Sequence, residues 1–242
     1  MSPNRAEIED QFPGLQLGHD DPETGERRYS LDDVRKVELS RWYGGTRLEP
    51  YIESHFEYFS TIRDLRRGWG HYEPHYDPAL DVPYGAGGTY ENRPSQFKLH
   101  LNPTESEVCL LAFSLIDLSR QSPEFRDALH EMMFALRKSD NEAMPEIVLF
   151  PRDGSLENTE ALMTAILAHT GDRFQPGPHR PRHSLEVSPL CYLAQGSGDT
   201  KDEMEEFRQQ YDARTGHAIL PEDVPAVTAM LERVTPLSRP DA

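Results

Sequence analysis

Phe97-Lys98-Leu99-His100-Leu101 is the stretch that most narrows what this chain can fold into. Apolar Phe97, Leu99 and Leu101 alternate with Lys98, His100 and Asn102. A period of two sends successive side chains to opposite faces of a strand, so one face buries hydrocarbon and the other displays polar groups. A strand of this kind needs partner strands beside it and an apolar layer above it. Lys98 and His100 share the polar face, with their Cα atoms roughly 7 Å apart. An amine and an imidazole held in fixed geometry can act as base and acid, which makes the pair the first candidate catalytic site.

The rest of the chain supplies helices around such a sheet. Ser30 and Asp33 have capping-box spacing and predict a helix to about Trp42, stopped at Gly44-Gly45. Pro50 opens a second helical pattern, with Ile52, Phe56, Phe59, Ile62 and Leu65 spaced by three and four through about Arg67. Residues 68–94 are rich in Gly and Pro and read as a functional or Ω-type loop. Thr104 and Glu107 start a helix that lines Val108, Leu111, Leu115 and Leu118 on one face. Ser122-Pro123 starts another, carrying Phe125, Leu129, Met132, Met133 and Leu136 and ending in Arg137-Lys138.

Residues 146–150 (Glu-Ile-Val-Leu-Phe) read as a central strand. Ser155 caps a helix closed by Gly171. Residues 185–194 are extended and interrupted at Pro189, and helices are expected over about 200–213 and 223–234. The fold class is therefore α+β, a small antiparallel or mixed central sheet with helices packed on it. Residues 1–28 read as a flexible N-terminal arm, 29–235 as a single α+β domain and 236–242 as a tail.

Composition excludes several functions. With 42 acidic and 25 basic residues the net charge is −17, which repels phosphate backbones and argues against a nucleic-acid partner. Any bound anion must find its cations concentrated locally. The longest apolar run, Val108 to Ile116, is far too short to span a bilayer, so no membrane partner is expected. No secretory signal opens the chain, which suits a cytoplasmic address or delivery into a host cell without a cleaved signal. Cys109 and Cys191 each sit in an apolar run and read as buried free thiols.

Other clusters carry weaker signals. His71, Glu73, His75 and Asp77 are metal-ligand types, but Pro74 and the lack of a known spacing favour a loop without a chemical role. His179-Arg180-Pro181-Arg182-His183 fits an anion-reading loop better than a metal site, since arginine forks match phosphate oxygens, and a plain surface loop fits it as well. No nucleophile elbow, Walker loop, dinucleotide fingerprint or His-Glu-x-x-His motif is present, so neither a metal nor a cofactor is expected.

The Lys98-x-His100 strand resembles the Lys-x-His strand motif of the bacterial phosphothreonine lyases, type III effectors that remove phosphate from a MAP kinase by β-elimination, and of related lyases in lanthipeptide biosynthesis. The order of elements from about residue 86 to 200 agrees with this resemblance. It implies that Lys98 takes the Cα proton of phosphothreonine or phosphoserine and that His100 protonates the departing phosphate. It further implies phosphate-binding roles for Arg137 and for Arg180 or Arg182. Arg93, five residues before Lys98, is a further candidate cation for phosphate. The implied substrate is a phosphorylated peptide or protein, with a separate kinase and other biosynthetic subunits as possible partners. The acid-rich composition leans toward maturation of a lanthipeptide-type precursor. The alternatives are a kinase-directed effector, a non-catalytic phosphopeptide-binding subunit and a metal-dependent hydrolase built on His71 and His75.

Overall fold

A computed structural model describes residues 14–59, 62–66, 68–75, 97–137, 146–181, 184–195 and 219–234. The chain divides into two compact units, Met1–Ile62 and Arg63–Ala242.

The described part of the first unit includes a hairpin of β1 (His19–Asp20) and β2 (Arg27–Arg28), within the stretch expected to be a flexible arm. The Arg27 guanidinium helps hold it by donating to the Leu17 carbonyl at 2.7 Å. Helix α1 (Leu31–Tyr43) follows with the expected capping box: Ser30 Oγ accepts from the Asp33 amide and the Asp33 carboxylate accepts from the Ser30 amide. Lys36 Nζ ties this helix to Glu53 at 2.6 Å.

The long helix predicted from Pro50 to Arg67 is not formed. That segment is a single 3₁₀ turn (Glu49–Tyr51), the one-turn helix α2 (Phe56–Phe59) and then strand β3 (Ile62–Arg66). Its aromatic and β-branched residues have helical spacing but poor helix propensity, so sheet pairing prevails. Gly68, at φ +88°, turns the chain back into β4 (Trp69–Tyr72), inside the predicted loop.

The second unit is organised on a seven-stranded sheet in the order β3-β4-β6-β7-β5-β9-β8. Its strands include β5 (Phe97–Leu101), β6 (Leu129–Ala135), β7 (Ile147–Pro151), β8 (Leu185–Glu186) and β9 (Cys191–Gln195). The registered pairings from β4 through β8 are all antiparallel. With helices α3 (Val108–Gln121), α4 (Pro123–Ala128), α5 (Leu156–Thr170) and α6 (Val224–Val234), the fold is α+β, as expected.

The helix predicted through Leu136 stops at Ala128, and the chain continues as β6. Phe125, Leu129, Met132, Met133 and Leu136 had suggested a helix face. Between β4 and β7, Met132 and Met133 instead satisfy both ladder edges, which an isolated helix pattern cannot reveal. Arg137 therefore follows a strand, not a helix.

One sheet face is the core. Leu99, Leu101, Ile147, Leu149, Met132, Phe134, Cys191 and Leu193 are fully buried there. Phe113 of α3 packs edge-on against Phe134 at 6.4 Å, and the Tyr72 hydroxyl donates to Ser119 of α3 at 3.0 Å. Cys109 and Cys191 are buried free thiols, and burial pushes the Cys191 thiol up to about 12.

The segment after α5 is stitched to the end of β5. The Thr104 amide donates to the Gln175 carbonyl, and the Gly177 amide to the Asn102 carbonyl. A Cβ on Gly177 would stand 2.7 Å from the Pro103 carbonyl oxygen, which is backbone and cannot swing away. Gly177→Ala is expected to lower stability by about 1–3 kcal/mol in urea unfolding, the usual cost of overpacking. An unchanged unfolding midpoint would mean that this loop is not held against β5.

Candidate functional site

The opposite face of the sheet carries the polar groups. Registered pairs align Glu186, Tyr192, His100, Val148, Met133 and His71 in one row across β8, β9, β5, β7, β6 and β4. Residues directly paired across antiparallel strands project to the same side, so these six share one face. Lys98 lies two residues from His100, hence on that face, and pairs with Ala194. The alternation read from the sequence is reproduced: Leu99 is fully buried in the core, Lys98 is half-buried and His100 is buried on the other side.

His100 is neutral in this setting. Burial is the larger cause that holds its ring well below the usual imidazole range, and the positive charge of Lys98 adds to it. Its Nδ1 is buried and has no hydrogen-bond partner among the described residues. Leaving such a nitrogen unsatisfied costs about 1–3 kcal/mol, so the fold tolerates a penalty at the centre of the candidate site.

The depressed His100 has a consequence for stability. Above pH 6.5 the ring is largely neutral in both folded and unfolded chains. As pH falls through that value the unfolded ring gains a proton before the folded one does. Unfolding then becomes easier by up to about 1.4 kcal/mol per pH unit, until the folded ring also protonates. The wild type is expected to lose stability from pH 7 to pH 5, and His100→Gln to lose less, as read from urea midpoints. Equal losses in the two proteins would remove His100 as the source.

His71 is the site residue that sequence reading left in a loop without a role. On β4 it is buried, and its Nδ1 lies 2.5 Å from Glu131 Oε1 on β6. Its Nε2 is buried and has no partner among the described residues. Glu131 reaches this face by ordinary alternation, two residues before Met133, and sits opposite Phe150; the register shift before it puts Leu129 on the core face. Such a bulge re-aims side chains and has no clear sequence signature. The only available signals were the aromatic alternation Trp69, His71 against Gly70, Tyr72, and the acidic Glu131 within an apolar run.

The metal reading of the His71–His75 segment finds no support in the geometry. His71 is engaged by Glu131, whereas exposed His75 lies 3.1 Å from the Arg126 carbonyl. Among the described residues no group of three or more His, Cys, Asp or Glu side chains could hold a metal ion.

The candidate arginines fall in different places. Arg180 ion-pairs with Glu186 at 2.8 Å, and Glu186 is directly paired with Tyr192 on β9. Glu186 stands at the β8 edge of the same face, its backbone about two strand spacings, or ~10 Å, from that of His100, and Arg180 is held beside it by the ion pair. Its loop is fixed by the Asn102 side-chain amide, which donates to the His179 carbonyl. Arg137 is exposed and lies four residues along β6 from Met133, the residue in the row of His100. At ~3.3 Å per residue it stands beyond the far end of the sheet, and the ladder does not bring it to Lys98 and His100. Arg93 and Arg182 lie outside the described residues.

Among the described residues no helix is long and apolar enough to cross a membrane. No known protein family matches the chain, and no curated protein matches it. Solved structures do resemble it. An effector protein from Pseudomonas syringae pv. tomato strain DC3000 is 13% identical, with 97% of this chain and 86% of that chain covered and a TM-score of 0.43. The type III effector and phosphothreonine lyase OspF from Shigella flexneri is 10% identical, over 61% of this chain and 72% of that one, at a TM-score of 0.35. A further phosphothreonine lyase structure is 8% identical, over 84% of this chain and 90% of that one, at 0.37. All three scores lie below 0.5, so what the protein does has to be judged from its site.

Proposed function

We propose that this protein is a phosphoserine/phosphothreonine lyase acting on a phosphorylated peptide or protein. The single observation that carries the proposal is Lys98 beside His100 on one sheet face, with a buried His100 ring nitrogen unclaimed among the described residues. In the reaction the Cα–H bond breaks and its electron pair becomes the Cα=Cβ bond. The Cβ–O bond then breaks with its pair leaving on phosphate. Lys98, in its neutral form, takes the Cα proton, and His100 supplies a proton to the phosphate oxygen.

His100 is neutral in the free protein, so it must be loaded. A phosphate dianion beside the ring favours the protonated form and opposes both burial and the charge of Lys98. The substrate thus arms its own acid. Arg180 is the described candidate arginine on this face. It can meet phosphate by exchanging Glu186, since an exposed ion pair of this kind is weak. Arg93, Arg182 and Arg137 remain sequence-level candidates for phosphate contact.

The substrate is read as a protein or peptide phosphorylated by a separate kinase. Nothing at the site favours precursor maturation over a folded phosphoprotein, such as the kinase target of an effector. The second reading is a phosphopeptide-binding subunit without turnover, in which Lys98 and Arg180 hold the phosphate on this face. Mass spectrometry of a phosphothreonine peptide after incubation separates the possibilities. A loss of ~98 Da is elimination, ~80 Da is hydrolysis, and an unchanged mass with measurable binding is the non-catalytic subunit.

A further inference from the structure

Elimination from a peptide residue needs more than a base and an acid. When the Cα proton leaves, negative charge develops on the carbonyl oxygen of the same residue, and a preorganised donor there is usually the largest catalytic term. Lys98 and His100 address the Cα–H and the phosphate. Neither faces the carbonyl end.

We propose that His71, held by Glu131, is that donor, a conclusion that rests on the elimination reading above. His71 and His100 lie in one sheet row and are joined through Met133 and Val148. Three ladder steps separate them, a backbone span of ~14 Å. Each keeps one buried ring nitrogen without a partner among the described residues. Half-buried Met133 and buried Val148 make an apolar floor between them.

The span suits one phosphorylated residue. From its ester oxygen to its carbonyl oxygen is about 4–5 Å by ordinary bond lengths. Adding a hydrogen bond of ~2.8 Å at each end gives roughly 10 Å between the two ring nitrogens, which rings leaning inward from ~14 Å can meet.

The Glu131 carboxylate, 2.5 Å from Nδ1, fixes the ring's orientation and leaves Nε2 as the nitrogen for the substrate. Nε2–H then points to the developing enolate oxygen. No proton leaves His71 in the step. The hydrogen bond strengthens as charge builds on oxygen and relaxes when the C=O bond reforms with the new double bond. Glu131 lies two residues before Met133 on β6, which puts its carboxylate on the same face.

The experiment uses the full chain, a phosphothreonine peptide that the wild type converts, and its phosphonate analogue, in which a methylene replaces the ester oxygen. His71→Ala should lower kcat by about 10²–10³-fold, the effect of removing one such donor, while analogue affinity changes less than about threefold. His71→Gln keeps an N–H at similar reach and should recover at least tenfold of that loss, as a donor role requires and a base role forbids. Thermal melts confirm that both variants are folded, and His71→Gln carries the test if His71→Ala is not. If a folded His71→Ala keeps a wild-type kcat, if a folded His71→Gln falls by the full 10²–10³-fold, or if either loses analogue affinity and not kcat, the donor role is overturned and elimination stands. If the wild type releases no phosphate from any phosphopeptide, the elimination reading falls and His71's role falls with it.

Discussion

Lys98→Ala is expected to lower phosphate elimination by about 10³-fold or more, while affinity for a phosphonate peptide falls only modestly. A positioned base contributes typically 10²–10⁴-fold, and this site holds the lysine on a strand paired along both edges. Steady-state phosphate release and calorimetric binding measure the two quantities separately. The substitution has a second readout. Lys98 is one of the two causes that depress His100, so removing its charge should move the His100 titration upward, though not to the ordinary range, because burial remains the larger cause. An NMR pH titration of the ring follows this directly. A Lys98→Ala protein that still turns over within tenfold of the wild type would end the base assignment. One that loses binding and turnover together would make Lys98 a phosphate contact.

Phe134→Ala should be among the most destabilising single changes in the sheet, by about 3–5 kcal/mol. The ring is fully buried on the core face, edge-on to Phe113 at 6.4 Å. It also covers Gly70: a Cβ added there would be only 2.7 Å from the ring. No side chain at Gly70 can move in to fill the space left by the lost ring, so the cavity persists and its cost adds to the lost transfer free energy. For a chain of this size the melting temperature should drop by roughly 6–20 °C. β6 also carries Glu131, so loosening the strand should weaken the hold on His71 and lower turnover beyond the loss of folded protein. A urea midpoint shifted by less than about 1 kcal/mol would place the Phe134 ring outside the core.

Much of the site could be read locally. Phe97 to Leu101 alternates with period two, and the structure puts Leu99 in the core and Lys98 with His100 on the opposite face. Helix ends were legible for the same reason. Ser30 with Asp33, Ser155 with the Asn158 amide, and Gly171 after α5 satisfy backbone groups within a few residues, so their signals are contained in a short window. The central strand before Pro151 was clear from its continuous apolar run.

The failures share one cause. Residues 50–66 and 129–135 have apolar side chains at helical spacing, yet both stretches contain strands because neighbouring chain segments complete their ladders. A period cannot report what lies alongside. β4 was hidden in a Gly- and Pro-rich stretch, and its Gly70 is explained only by the Phe134 ring of another strand.

Local pattern was therefore enough to put Lys98 and His100 on one face and to orient their strand, since alternation along five residues determines which side chains share a face. Ladder register decided the rest. It set His71 in the row of His100 and placed Glu131 on the neighbouring strand beside it, although Glu131 is sixty residues from His71 in sequence. It also set Glu186, the ion-pair partner of Arg180, on the same face and left Arg137 beyond the sheet's end. Register is a long-range property, arising from hydrogen bonds between strands and the packing of the buried face, and no short window of residues contains it.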